Sequence, residues 1–312
     1  MFIKQAYKAQ HEFWRYLIGS VVIFIASLIG QVPFMVALFV NKDFNPFGDE
    51  AVILGLLEPN LNLFLLMISF VFALVGIYVA VHFIHSQKFK DIITSRFKID
   101  WGRVLVGFIA VALVLVPLTL YDYYANPADY IWNFKPDKFV ILLMIAVILI
   151  PIQTTVEELV FRGYLMQGFG IFSGSRFIAL LATSLIFGLL HIANPEIAKM
   201  GYIVMVSYIG TGFFLGILTL MDEGIELAMG FHAGNNLLIA LLVTADYTAL
   251  QTHSLLKSIA DPKVGMEVFI PVLVIYPLIL LIFSRLYKWS NWKEKLFGKV
   301  TSPSLVDKST EI

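Results

Sequence analysis

The sequence predicts an all-α polytopic membrane protein, a bundle of about eight transmembrane helices with both termini on the cytoplasmic side. Three observations predict it. Hydrophobic residues make up 59% of the 312-residue chain and charged residues only 14%, where a soluble protein carries roughly 25% charged residues. Mean hydropathy is +0.84. Uncharged runs long enough to span a bilayer, about 20 residues at 1.5 Å rise, recur along the whole length, which argues for one membrane domain. Net charge is zero, so no basic excess points to a nucleic-acid partner. Cysteine is absent, which excludes disulfides, thiolate metal ligands and a cysteine nucleophile.

The first apolar run, Tyr16–Asn41, has 26 residues. A signal-peptide core is about 7–15 residues followed by a small-residue cleavage site. No such site is visible, and the helix is expected to be retained. The candidate spans are 16–40, 61–86, 104–121, 139–170, 177–195, 200–221, 226–245 and 267–287. Helix breakers fill the connections: Asn41-Lys42-Asp43 with Pro46 and Gly48, and Asn126-Pro127 with Lys135-Pro136-Asp137. No internal repeat or low-complexity tract is present. The chain divides into a cytoplasmic N-terminal segment, 1–15, a membrane domain, 16–288, and a cytoplasmic tail, 289–312, whose last dozen residues read as loose.

Lys and Arg placement sets the orientation. With the N-terminus inside, the inner segments hold sixteen cations, among them Lys88, Lys90, Arg96, Lys98, Arg103, Arg162, Arg176 and Lys308. The outer segments hold six: Lys42, Lys135, Lys138, Lys199, Lys257 and Lys263. Trp289 and Trp292 fall where an interfacial aromatic belt is expected. The basic loop Lys88–Arg103 reads as the topology signal, with attraction to anionic lipid as a secondary role.

The fourth span does not fit the bilayer. Phe139–Phe172 is 34 residues, about 50 Å as a straight helix against a hydrocarbon core of about 30 Å. Pro151 is expected to kink it. An over-long, bent element puts Glu157 near mid-depth. A helix ending at Arg162 would instead leave Glu157 at the inner surface, too far from His191.

Glu157-Glu158-x-x-x-Arg162 follows directly on the uncharged run Phe139–Val156. Ionisable groups within a span cost at least about 2.5–3.5 kcal/mol each, so they are rare and usually functional. Glu158 and Arg162, four apart, share a helix face and can neutralise each other. Glu157, rotated by about 100°, has no such partner and is free to act as a general base. The packing alternative is an ion pair at a helix end with both glutamates in inner water. His191 ends Phe187-Gly188-Leu189-Leu190-His191, where Gly188 permits close approach of another helix. Its packing alternative is a bond to a neighbouring carbonyl. His232 and Asn236 are four apart and can both donate into one pocket, stabilising an oxyanion or, alternatively, clamping two helices. Asn235, on another face, reads as a packing contact. His82 and His85 read as interfacial, and His11 and His253 as solvated.

Three spans thus bring polar groups into apolar surroundings. Convergence on one wet cavity is cheaper than burying each separately. There is no Gly-x-Ser-x-Gly, no His-Glu-x-x-His and no pair of membrane aspartates, and Ser184 and Ser207 lack a visible base. The residues permit a glutamate-activated water.

Glu157-Glu158-x-x-x-Arg162, Phe187-x-x-x-His191 and His232-x-x-x-Asn236 resemble the three signature motifs of the CPBP intramembrane protease family, which groups type II CAAX prenyl proteases with bacteriocin-processing, self-immunity and abortive-infection proteins. The resemblance covers residues 139–245. It implies an eight-helix fold with a polar chamber reached from the cytoplasm, and endopeptidase activity on a peptide or membrane-protein substrate within the bilayer of a bacterial plasma membrane. It implies that Glu157, assisted by His191, activates water, that His232 and Asn236 bind the oxyanion, and that Glu158, Arg162 and Phe187 support them. The family has also been described as metal-dependent. Glu157, His191 and His232 could then form a His₂Glu zinc set, although no cofactor is the favoured reading. Two other functions stand beside the protease: a non-catalytic immunity or scaffold protein, and a proton-coupled transporter. The transporter predicts inverted repeats and broken helices, and the sequence shows neither.

Overall fold

The computed structural model describes residues 1–262 and 265–303. Eight longer helices form the bundle: α1 Phe13–Val40, α2 Pro59–Ile84, α3 Trp101–Ala125, α4 Pro136–Ser173, α5 Arg176–Leu189, α6 Tyr202–Asp222, α7 Glu226–Leu242 and α8 Pro271–Leu286. Five of them, α1 to α4 and α6, are long and apolar enough to cross a bilayer. α5 and α8 are apolar but shorter, and α7 has 17 residues. The expected segment 177–195 is shortened, because α5 ends at Leu189 and His191 lies in the following turn. Lys263, Lys308 and positions 304–312 of the tail lie outside the described residues.

The outer faces fit a lipid surround. α1 presents Phe24, Val32 and Phe39 outward, and α3 presents Leu105, Leu113 and Leu120. Such faces would be unstable against water. Inside, α7 packs chiefly between α3 and α4, α1 against α2, and α5 against α6, with α2 also against α4. The α3–α7 crossing is backbone against backbone. A Cβ at Gly230 would lie 1.9 Å from the Val104 carbonyl oxygen, and one at Gly107 would lie 2.4 Å from the Leu227 carbonyl oxygen. Two glycines therefore set the depth of α7, and with it of His232, two residues beyond Gly230.

α4 is 38 residues long, about 57 Å at helical rise. The sequence expects Pro151 to bend it, and Pro151 lies inside its α-helical part. The α-helical pattern gives way over Leu159–Leu165, a π-helical stretch that starts directly after Glu158. Such insertions often mark functional sites. The stretch faces a loop that enters the bundle, since a Cβ at Gly163 would lie 2.6 Å from the Ile92 carbonyl oxygen.

That segment, Lys88–Arg103, is read from the sequence as a basic topology signal; in the structure its Ile92 and Thr94 are fully buried. Ile225 N–H donates to the Ile93 carbonyl at 2.8 Å and Ser95 N–H to the Glu223 carbonyl at 3.1 Å. Arg96 bonds the carboxylates of Asp222 (2.7 Å) and Glu226 (3.1 Å), and Arg103 bonds Asp222 (2.9 Å). The loop cations thus neutralise buried acids. Trp289, expected in the interfacial belt, donates its indole N–H to Asp222 at 3.3 Å. His85, expected at the interface, is fully buried between the Gln10 carbonyl (2.7 Å) and the Tyr164 hydroxyl (2.9 Å). His253, expected in solvent, bonds Glu58 at 2.8 Å. His253, Lys138 and the Leu61 N–H together outweigh the desolvation of Glu58 and hold its carboxyl below the ordinary value.

A small sheet caps the opposite end. β1, Tyr130–Trp132, runs antiparallel to β3, Leu256–Ser258, and β3 runs parallel to β2, Val243–Thr244, in the order β1-β3-β2. The all-α reading did not include it. At the loop end, Phe2 and Ile3 are buried within the bundle.

Truncation of Arg96 leaves the Glu226 carboxylate buried without its cation, and removal of one partner of a buried pair costs about 3–5 kcal/mol. Arg103 still serves Asp222, so Arg96→Ala is expected at the lower end of that range. Thermal unfolding in detergent measures it, and an unchanged midpoint would show that the ion cluster does not hold the loop.

Candidate active site

α4 supplies the acidic residues, which close its α-helical part just before the π-helical stretch and diverge by the ordinary helical rotation. Glu158 and Arg162, four apart, form the expected pair, with Arg162 Nη1 3.0 Å from Glu158 Oε1 and both side chains fully buried. Arg162 Nη2 donates to the Gly212 carbonyl on α6 at 3.2 Å. Its guanidinium lies 4.3 Å from the centre of the Phe187 ring on α5, within cation–π range. Arg162 therefore ties three helices together. The orientation count placed it in an inner segment, whereas it is wholly inside the bundle.

Glu158 Oε1 also meets His232 Nδ1 of α7 at 2.8 Å. With Nδ1–H donating to the carboxylate, the ring is fixed and Nε2 is turned the other way, as such carboxylate–imidazole pairs do. Nε2 lies 3.5 Å from Glu157 Oε2, a close approach rather than a hydrogen bond. Oε2 of Glu157 is buried and unbonded. Its other oxygen, Oε1, accepts from Gln153 Nε2 at 2.5 Å. Gln153 Oε1 in turn accepts from Asn236 Nδ2 at 3.2 Å. An amide relay thus joins α7 to the carboxylate of α4, one turn below it.

Gln153 was not singled out in the sequence. Its signal was present: a buried polar residue inside an apolar run, four before Glu157 and on the same face. Asn235 donates to Asn236 Oδ1 at 3.1 Å, so it orients the neighbouring amide as well as packing. Asn236 keeps one Nδ2 hydrogen unassigned.

His191 stands differently. Its Nδ1 lies 2.7 Å from the Phe187 carbonyl oxygen, the carbonyl contact foreseen as its packing alternative, and Nε2 has no protein partner among the described residues. The Phe187 ring neighbours both imidazoles, 4.8 Å from His191 and 6.0 Å from His232 by ring centres. Glu157, Glu158, Arg162, His232 and Asn236 therefore form one contiguous cluster, and His191 adjoins it through Phe187.

Two surface clefts lie elsewhere. One, of about 240 Å³, is lined by Val116, Tyr123, Trp132, Leu242 and Leu256, and one, of about 350 Å³, by Tyr78, His82, Gln87 and Lys88. Of the isolated serines, Ser207 donates to the Val268 carbonyl at 2.9 Å, and the buried Ser184 hydroxyl is unbonded. Among the described residues no three His, Asp or Glu side chains converge as a metal-ligating group. Chemically, the cluster offers a carboxylate with one free oxygen, an imidazole held by a second carboxylate, and an amide with a spare donor.

Residues 136–238 match the family described as type II CAAX prenyl endopeptidase Rce1-like. Over nearly its full length the chain is similar to the uncharacterized protein YyaK of Bacillus subtilis (strain 168). The two are 31% identical over 293 residues, which cover 92% of this chain and 95% of the relative. No solved structure matches the chain.

The two glutamates differ in what their loss exposes. Glu158→Ala strands the buried Arg162 and releases His232, and is expected to cost about 3–5 kcal/mol. Glu157→Ala removes only one hydrogen bond and an unbonded oxygen, and is expected to change stability by about 1 kcal/mol or less. Unfolding of both variants in mixed micelles checks this, and equal losses would contradict the distinction.

Proposed function

The chain belongs to the type II CAAX prenyl endopeptidase Rce1-like family, and from this premise we propose that it is an intramembrane endopeptidase that hydrolyses peptide bonds with a glutamate-activated water. The observation that carries the proposal is the free Oε2 of Glu157. It is buried and unbonded and lies beside His232 Nε2, while Oε1 is held by Gln153. In this reading Glu157 Oε2 takes a proton from a water that His191 Nε2 helps to hold. The water oxygen adds to the scissile carbonyl carbon. The carbonyl oxygen becomes the oxyanion, which accepts hydrogen bonds from Asn236 Nδ2 and from His232 Nε2–H. The tetrahedral adduct collapses as the proton on Glu157 passes to the leaving nitrogen, and the carboxylate is restored.

Glu158, Arg162 and Phe187 act by position, holding His232 and the α4–α5–α6 junction. The reaction is proposed to run without a metal. In support, no three His, Asp or Glu side chains form a metal-ligating group among the described residues. The protein is integral to a membrane. Eight crossings, cytoplasmic termini and a bacterial plasma membrane complete the proposal, supported by the excess of Lys and Arg on the N-terminal side. The substrate is a peptide segment presented at or within the bilayer.

Purified protein in detergent, assayed against a quenched peptide library, tests the reading. Glu157→Ala is expected to abolish cleavage while insertion and extraction stay normal, and Asn236→Ala to lower kcat by about 10²–10³-fold, as for loss of one oxyanion donor. A zinc chelator is expected to leave the rate unchanged. Cleavage that survives Glu157→Ala sinks the mechanism, and cleavage that disappears with chelator and returns with zinc replaces it with the metal-dependent one.

A further inference from the structure

His191 does not sit on a helix, and that creates a positioning problem. α5 ends at Leu189. Beyond it the chain tightens: His191 N–H donates to the Gly188 carbonyl at 3.0 Å and Ile192 N–H to the Leu189 carbonyl at 3.1 Å. In a continuing α-helix the His191 N–H would bond the Phe187 carbonyl, four residues back. Here that carbonyl accepts from the His191 ring nitrogen Nδ1 instead, at 2.7 Å. The side chain caps the end of its own helix. The bond fixes the tautomer, with the proton on Nδ1 and the lone pair on Nε2, but a single hydrogen bond leaves the ring free to swing about it.

We propose that Tyr208 is the residue that fixes the His191 ring plane; this rests on the protease reading given above. The Tyr208 ring stacks on His191 with centres 4.5 Å apart and planes inclined by 22°. Stacking constrains the one degree of freedom that the Nδ1 bond leaves. Tyr208 is itself held at its far end, where Asn194 Nδ2 donates to its hydroxyl at 3.0 Å. Asn194 N–H donates to the His191 carbonyl at 3.0 Å. His191, Tyr208 and Asn194 thus close a circuit across the turn. The register that makes the circuit possible is set three residues before His191 and one residue after Tyr208. A Cβ at Gly188 would lie 2.4 Å from Ile209 Cγ1 and 3.1 Å from Ile209 Cα, so α5 and α6 touch at backbone distance and Tyr208 reaches the imidazole. The turn is pinned from outside as well, since Ala249 N–H donates to Glu196 Oε1 at 2.9 Å.

Tyr208 touches neither the proposed water nor the peptide. It acts through His191, so its loss is expected in the chemical step rather than in binding. Misplacement of a reacting group by about 1 Å can cost about 10²-fold.

The test compares Tyr208→Ala, Tyr208→Leu and Tyr208→Phe with the parent. Cleavage of a quenched peptide gives kcat and KM. NMR of histidine-labelled protein in micelles, with His191→Gln to identify the signal, gives the ring-proton shifts of His191. The Ala and Leu variants are expected to lower kcat by about 10–10²-fold with KM within about twofold, and to shift the His191 signal downfield as the ring current disappears. Tyr208→Phe keeps the stack and is expected to rescue both readouts to within a few-fold of the parent. Full kcat in the Leu variant, or an unmoved His191 resonance, overturns the assignment. Should Glu157→Ala prove fully active, the protease reading fails by itself, and the NMR shift still decides whether Tyr208 holds the ring.

Discussion

A guanidinium with no access to solvent constrains everything around it. Arg162 sits in the interior of a bundle whose outer faces are hydrocarbon-like, and a buried charge is tolerated only when paired and hydrogen-bonded. Its partners come from its own helix (Glu158), from α6 (the Gly212 carbonyl) and from α5 (the Phe187 ring). Satisfying it therefore docks three helices in one arrangement. Gly212 must lack a side chain for this, because a Cβ there would lie 2.8 Å from the Ser184 carbonyl oxygen. The same Glu158 oxygen that answers Arg162 also holds His232, so α7 joins through the charge as well.

The pairing separates two adjacent carboxylates into different roles. Glu158 meets both cationic partners, Arg162 and His232, through Oε1, whereas Glu157 is held by a neutral amide on Oε1; the second oxygen of each is buried and unbonded. Consecutive residues on a helix point about 100° apart, so one acid can serve the scaffold while the next serves the cavity. The π-helical stretch that follows lets Arg162 return to Glu158 and still reach α6. The amide relay from Asn236 through Gln153 holds Glu157 without neutralising it, which a cation in the same place would do.

How much of this was legible depended on range. Glu158–Arg162 lies within one helical turn, and the spacing alone gave it. So did the over-length of α4 and the close approach allowed by Gly188. The His232–Glu158 bond joins residues 74 positions apart, and periodicity could place each on a face but could not say which carboxylate His232 would meet. Gln153 escaped because a neutral amide does not interrupt a run defined by charge. The end of α5 at Leu189 escaped because Leu190 and Ile192 continue the apolar pattern past the point where His191 captures the carbonyl that the helix needs. Arg96 and Arg103 were counted only as cations of an inner segment, while their partners Asp222 and Glu226 lie more than a hundred residues away. The three short strands carry too few residues to show an alternating pattern.

On the proposed reading, the charges of the cluster also fit the reaction. When Glu157 accepts the proton of the water, one negative charge leaves the carboxylate and reappears on the carbonyl oxygen of the adduct. The charge moves only from one side of His232 Nε2 to a position that Nε2–H and Asn236 can reach, so little reorganisation is needed. Preorganised donors of this kind are where most catalytic stabilisation arises. The buried pair of Arg162 and Glu158 makes the arrangement durable, because it fixes the imidazole before substrate arrives and takes no part in the proton transfer.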